Sequence, residues 1–223
     1  MAILTVFKIG SLTQYFGNTF FSSTSTSYSV TQAGDSVVFT STLSLSFRDR
    51  IANLTVTGEG LILEDGKLVS GTIHSIELGG AGETVWGTMT GLNLSATEFQ
   101  QLYDLALAGD REPLVEGLGS LVTEYAGTDE DETFWHTNEY SIVSVDMGAG
   151  DDTFRHIYGG GAERDIVIDG GDGYDWFRIM AFSGVQLNLR SGEMIDTTGA
   201  THTVLNFEAA VGGRGNDLII LAH

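Results

Sequence analysis

A mostly β protein with one helical hairpin is the architecture these residues point to, and three observations carry that expectation. Val37, Phe39, Leu43, Leu45 and Phe47 fall on alternate positions with Ser and Thr mostly between them, the period of a half-buried antiparallel strand. Near residue 95 the apolar period becomes helical. From Gly127 the texture changes again, to short repeats rich in Gly and Asp.

The first part, residues 1–126, reads as a β-rich α+β module. β-like runs at Ile51–Thr57, Leu68–Leu78 and Thr84–Met89 are separated by Gly58, Gly60, Asp65-Gly66 and Gly79-Gly80, which read as turns. Ser22–Ser29 fits a loop or a polar edge strand. Ser95-Ala96-Thr97-Glu98 has the form of a capping box, and Phe99, Leu102, Tyr103 and Ala106 follow at helical spacing. Gly109 ends that helix. Asp110 caps a second one with Pro113 in its first turn, and Leu114, Leu118, Leu121, Val122 and Tyr125 supply its apolar face. The expected hairpin covers about 95–125 and packs on the preceding sheet.

Composition narrows the function. The 223 residues include 30 Asp and Glu against 10 Lys and Arg, a net charge of −20, with no Cys. Disulfides, thiolate metal sites and thiol catalysis are excluded. Nucleic acid is not an expected partner, because phosphate needs Lys and Arg. No apolar run reaches the ~20 residues of a membrane helix, so no transmembrane segment is expected. Residues 127–223 hold 17 of the 30 acids and five of the ten basic residues, a net −12 against −8 for 1–126. Crowded carboxylates repel one another, so either solubility or a bound divalent cation must account for them.

The arrangement of the acids favours the cation. Three segments follow Gly-Gly-x-Gly-x-Asp-x-U-x, with U a large apolar residue. Met147–Arg155 lacks only the first Gly; Gly170–Arg178 and Gly212–Ile220 are complete. Gly160–Ile168 has Glu163 in place of a Gly, and Gly127–Phe134 has Glu130 for Gly and Glu132 for Asp. The six-residue half must turn tightly with carbonyls aimed inward, which needs Gly; the Asp adds a carboxylate oxygen. Oxygen donors without nitrogen or sulfur favour Ca²⁺. The U side chains build an interior column as repeats stack. The expected ligand residues are Gly148, Gly150 and Asp152; Gly161 and Asp165; Gly171, Gly173 and Asp175; and Gly213, Gly215 and Asp217. Asp152, Asp175 and Asp217 rank first, and Glu130 and Glu132 last.

These motifs resemble the hemolysin-type calcium-binding repeats of the RTX family over about 127–178 and 212–220. Val185–Gly192 and Val204–Val211 resemble the spacer found between such repeats, at about 183–211. The resemblance implies a parallel β-roll for 127–223, type I secretion without an N-terminal signal peptide, and folding on meeting extracellular Ca²⁺. The repeat starts at 127, 147, 160, 170 and 212 depart from the family's nine-residue beat, so a short, interrupted roll with few ions is expected. Gly71–Ile76 followed by Thr90–Ser95 and the hairpin resembles modules that precede repeats in type I secreted proteins, and faintly the hemophores. Those ligate haem through a Tyr where this chain has Ser70, and His74 is not at the matching place.

No metalloprotease or lipase motif is present, so no catalytic residues are expected. His136 and His156 read as surface residues, and Trp86, Trp135 and Trp176 as core rather than as the lining of a sugar site. Ile3–Phe7 and Leu218–Leu221 read as edge strands open to pairing with another chain. The expectation is a secreted, calcium-binding structural or adhesive protein, self-assembling at the cell surface or in a biofilm matrix. The rival is an extracellular ligand carrier or enzyme with its site in 1–126.

Overall fold

The computed structural model describes residues 2–6, 20, 25–45, 48–80, 84–137, 140–157, 164–180, 184–196 and 198–221. Phe7, Phe47, Gly160, Gly161 and Glu163, singled out above, lie outside them. Among the described residues strand predominates and there are two helices, which places the protein in the mostly β class. The chain divides into two compact units, the first built mainly from residues up to Leu121 and the second mainly from Val122 onward.

In the first unit, β2 (Ser25–Ala33), β3 (Ser36–Leu45), β4 (Arg48–Glu64), β5 (Lys67–Gly80) and β6 (Thr84–Thr90) pair antiparallel in sequence order, and the short β7 (Leu94–Ser95) also pairs antiparallel with β5. Asp65 and Gly66 have φ of 48° and 76°, the left-handed pair that a tight β4–β5 hairpin demands. Gly58 and Gly60, expected as turns, instead lie inside β4, where the β4–β5 register shifts. Gly60 (φ 63°) faces Gly71 (φ 110°), and a Cβ on Gly71 would fall 2.6 Å from the Gly60 carbonyl oxygen. These glycines make a bulge that lets two strands continue past an irregularity.

The helices are α1 (Ala96–Leu107) and α2 (Glu112–Leu121). Phe99 and Tyr103 of α1 are buried against Phe39 of β3, with ring centroids 5.5 and 4.5 Å away. Gln100 ties α1 to β5: its Oε1 accepts the Leu68 N–H at 2.9 Å, and its Nε2 donates to Asp104. Gly117 sets the approach of the two helices, since a Cβ there would press to 2.9 Å from Leu102 Cδ1. Two details differ from expectation. Ser95 Oγ bonds Thr97 Oγ1 and caps no backbone N–H. The second helix stops at Leu121; Val122 and Tyr125 belong to strand β8 (Val122–Thr128). β-Branched Val122 and Thr123 favour the extended chain.

The second unit is a parallel β-roll. One sheet runs β8, β10 (Ser144–Gly148), β12 (Val167–Asp169) and β16 (Thr201–Leu205), all parallel. The other runs β9 (Thr133–His136), β11 (Thr153–His156), β13 (Trp176–Ile179) and β17 (Ala209–Val211), also parallel. The chain alternates between them, one strand in each per coil except the longest. Thr133, Thr153, Trp176 and Ala209 share one register, so coils recur at 20, 23 and 33 residues rather than at a fixed beat. The longest holds β14 (Gln186–Asn188) and β15 (Glu193–Ile195), which extend the first sheet antiparallel beyond β16; β18 (Leu218–Ile220) then pairs parallel with β14. Phe134, Phe154 and Phe177, the U residues of three copies, are fully buried and stack at centroid spacings of 6.0 and 5.2 Å.

The two expected edge strands fare differently. β1 (Ala2–Val6) is paired and buries Ala2 and Leu4, so it is no free edge. β18 pairs on one side only among the described residues, and Leu218, Ile220 and Leu221 are exposed.

Candidate metal centre

Each coil of the roll passes from the first sheet to the second through one turn, and three of these turns stack. They are 128–132, 147–152 and 170–175. Gly148 and Gly171 both have φ of 90°, and Gly150 and Gly173 have 121° and 146°, conformations closed to residues with a Cβ. A second constraint acts at the same glycines. A Cβ on Gly171 or Gly173 would clash with the carbonyl oxygen of Gly148 or Gly150 one turn away, and one on Gly150 would meet the Glu130 carbonyl oxygen at 2.7 Å. The turns therefore stack carbonyl against glycine. Backbone hydrogen bonds lock them: Ala149 N–H to Thr128 O, Gly150 N–H to Asp172 O and Asp172 N–H to Gly148 O, at 2.8–2.9 Å.

The last residue of each turn is an acid, and the strand register puts these acids in a column: Glu132, Asp152, Asp175, then Glu208. Each carboxylate accepts the N–H of the acid before it. Glu132 N–H donates to Asp152 Oδ1 at 2.7 Å, Asp152 N–H to Asp175 Oδ1 at 2.8 Å, and Asp175 N–H to Glu208 Oε2 at 2.8 Å. Glu132 also accepts from the Thr128 hydroxyl and N–H. Asp152 and Asp175 are wholly buried, and the second oxygen of each, Oδ2, has no hydrogen-bond partner. Burial is the main cause that pushes the Asp152 carboxyl up to about 7, with Glu132, Asp175 and Asp131 adding to it. The Glu132 and Asp175 carboxyls are raised as well, again chiefly by burial.

Two orphaned carboxylate oxygens among glycine turns lined with carbonyls suit a hard cation. Among the described residues no three His, Asp or Glu side chains converge as a chelating group. Any ion here must therefore draw on backbone carbonyls beside the carboxylates. Outside the column a second ladder carries further charge: Asp131 Oδ1 accepts the Asp151 N–H, and Asp151 Oδ1 the Tyr174 N–H.

Of the sequence-derived ligands, Gly148, Gly150, Asp152, Gly171, Gly173 and Asp175 come together in these turns. Asp165 does not; its Oδ1 accepts the Thr201 N–H at 3.0 Å. Asp217 lies apart too, accepting the Val185 N–H. Gly213 and Gly215, though part of a complete copy, are not among the glycines with left-handed φ. Glu132, ranked last in the sequence, is buried in the column itself. The first glycine of a copy has a use that spacing alone does not reveal. A Cβ on Gly127 or Gly170 would come within 2.6 and 2.9 Å of the carboxylate of its own turn's acid, Glu132 and Asp175.

The histidines correct the surface expectation. His136, His156 and His202 are buried inside the roll. His136 and His156 sit two residues after Phe134 and Phe154, again facing inward, with Nδ1 atoms 3.2 Å apart and rings stacked at 5.1 Å. His202 meets His156 edge-on at 5.4 Å, and its Nε2 is 3.5 Å from buried Asp196 Oδ2. Burial, then His156 and His202, push the His136 imidazole down to about 3. Trp135 and Trp176 face outward from the second sheet and are not core. In the first unit His74 is exposed, with Nδ1 3.4 Å from the Leu92 carbonyl oxygen.

Comparison of the chain with protein-family models, with curated proteins and with solved structures finds no match.

Proposed function

We propose that the chain is a calcium-binding protein of the RTX type, secreted by a type I system, whose roll takes up Ca²⁺ at the stacked turns 128–132, 147–152 and 170–175. The single observation that carries this is the pair of buried, unpartnered oxygens, Asp152 Oδ2 and Asp175 Oδ2. Left without a cation, two adjacent buried carboxylates oppose folding; a bound cation removes that cost and couples binding to folding. Asp152 and Asp175 would hold the ion together with carbonyls of the glycine turns, and Glu132 with the outer Asp131 and Asp151 would raise the local negative potential.

The role of such a protein is structural or adhesive, in a matrix or at the cell surface. The support is the β18 edge, which among the described residues presents unpaired backbone between exposed Leu218 and Ile220. Circular dichroism and sedimentation in chelator and in millimolar Ca²⁺ test both parts. Gain of β signal with Ca²⁺ is expected, with association that Ile219→Pro weakens. An identical spectrum in both buffers would remove the calcium part; a strict monomer in both would remove the assembly part.

A further inference from the structure

The outward face of the β9–β11–β13–β17 sheet carries a basic, aromatic platform in an otherwise acidic protein. Strand register places Trp135, Arg155, Arg178 and Val211 in one row, and Thr133, Thr153, Trp176 and Ala209 in the next. Arg155 and Arg178 are thus direct neighbours on adjacent strands, about 4.8 Å apart across the sheet. Like charges in that position destabilise a sheet. A chain with 30 acids has ample means to place a carboxylate between them. Among the described residues neither arginine has an ion pair, and the Nε of each is buried without a hydrogen-bond partner. Each guanidinium lies over an indole instead, Arg155 Cζ 4.8 Å from the Trp135 ring centroid and Arg178 Cζ 5.4 Å from that of Trp176. Half-exposed Tyr174 meets Trp176 edge-on at 6.1 Å.

Stacking holds the guanidinium planes in place, and among the described residues no acceptor engages them, the preorganisation that bidentate recognition of a carboxylate uses. The aromatic faces beside them suit the C–H faces of sugar rings. β11 and β13 are paired on both sides, so a peptide has no backbone edge to join here. Double-stranded DNA, with a charge every ~1.7 Å, would be repelled by the acidic turns alongside. A sugar acid, with one carboxylate per ring, meets far less of that repulsion. We propose that this face binds the uronate units of a linear polysaccharide, with Arg155 and Arg178 taking carboxylates and Trp135, Trp176 and Tyr174 packing against the rings.

Tryptophan fluorescence and calorimetry with a short galacturonate oligomer, run against a neutral glucose oligomer of equal length, test this on the full chain in Ca²⁺. Saturable binding of the uronate oligomer alone is expected. Arg155→Gln and Arg178→Gln should each weaken it about tenfold or more, and Arg155→Lys should fail to restore it, because an ammonium lacks the fork. Melting of the Gln variants should be unchanged or higher, since a like-charge pair is removed, which separates lost binding from lost folding. No saturable binding up to about 10 mM, equal binding of the neutral oligomer, or full binding by the Arg155→Gln/Arg178→Gln double variant would overturn the proposal.

Discussion

Asp152→Asn should act in opposite directions with and without Ca²⁺. The folded protein raises the Asp152 carboxyl from 3.8 to about 7, mainly through burial. Its contribution is therefore present below the unfolded value and is lost as pH rises through the folded one. At pH 8, keeping the group ionised costs roughly 2–4 kcal/mol, taking about 1.4 kcal/mol per pKa unit and allowing for solvent screening at the turn. Asn removes that charge, and its Oδ1 still accepts the Glu132 N–H. Its amide nitrogen replaces the orphaned Oδ2 and is left without an acceptor, a loss of about 1–3 kcal/mol. In chelator the variant should thus equal or exceed the parent by about 1–2 kcal/mol, a rise of several degrees in Tm for a unit of this size. In saturating Ca²⁺ it should be the less stable of the two, having lost an anionic ligand. Urea and thermal melts followed by circular dichroism in both buffers give the comparison. Equal destabilisation in both would refute the reasoning, because it would make Asp152 an ordinary hydrogen-bonded core residue.

Four other substitutions have expected outcomes. His136 is held near 3 in the fold against 6.5 when unfolded, so its stabilising contribution is complete above 6.5 and is lost as pH falls toward 3. In Asp152→Asn, which lacks the opposing titration of that carboxyl, the roll should lose several kcal/mol over that window, and adding His136→Phe should flatten the loss in a pH series of urea melts. Phe154→Ala removes the middle ring of the Phe134–Phe154–Phe177 column and should cost about 3–5 kcal/mol, seen as a lower urea midpoint in the second unit. Gly171→Ala places a methyl group on the Gly148 carbonyl at a φ of 90°, and should raise the calcium concentration needed for folding, whereas Lys67→Ala at an exposed ion pair should change stability by less than about 1 kcal/mol.

Much of this architecture is visible in the residues. Period-2 patterning marks β3, the Asp65-Gly66 pair marks a hairpin, and Phe99, Tyr103, Leu114 and Leu118 mark the helices because each of these signals is local. Gly58 and Gly60 mislead because a glycine in a turn and a glycine in a bulge obey the same rule; only the strand opposite, with Gly71, distinguishes them. The turn motif points to the stacked turns that hold Asp152 and Asp175, since both glycine conformation and the acid are set within six residues. It does not reveal that Glu132 joins the column and Asp217 lies apart, because stacking is decided by coil length, and coils of 20 and 23 residues bring 128–132 and 170–175 onto 147–152 while Asp217 packs elsewhere. The inward turn of His136 and His156 has a legible sign: each stands two positions after a U residue on the same strand face. Lone polar residues at such positions read as exposed until the length of the strand is known.

The most direct test is an X-ray structure of crystals grown in calcium, with anomalous scattering measured for the ion. Anomalous peaks within coordination distance of Asp152 and Asp175 oxygens, between turns 147–152 and 170–175 or 128–132 and 147–152, are the expected result. Featureless density at those carboxylates in millimolar calcium, with the turns stacked as described, would contradict the account.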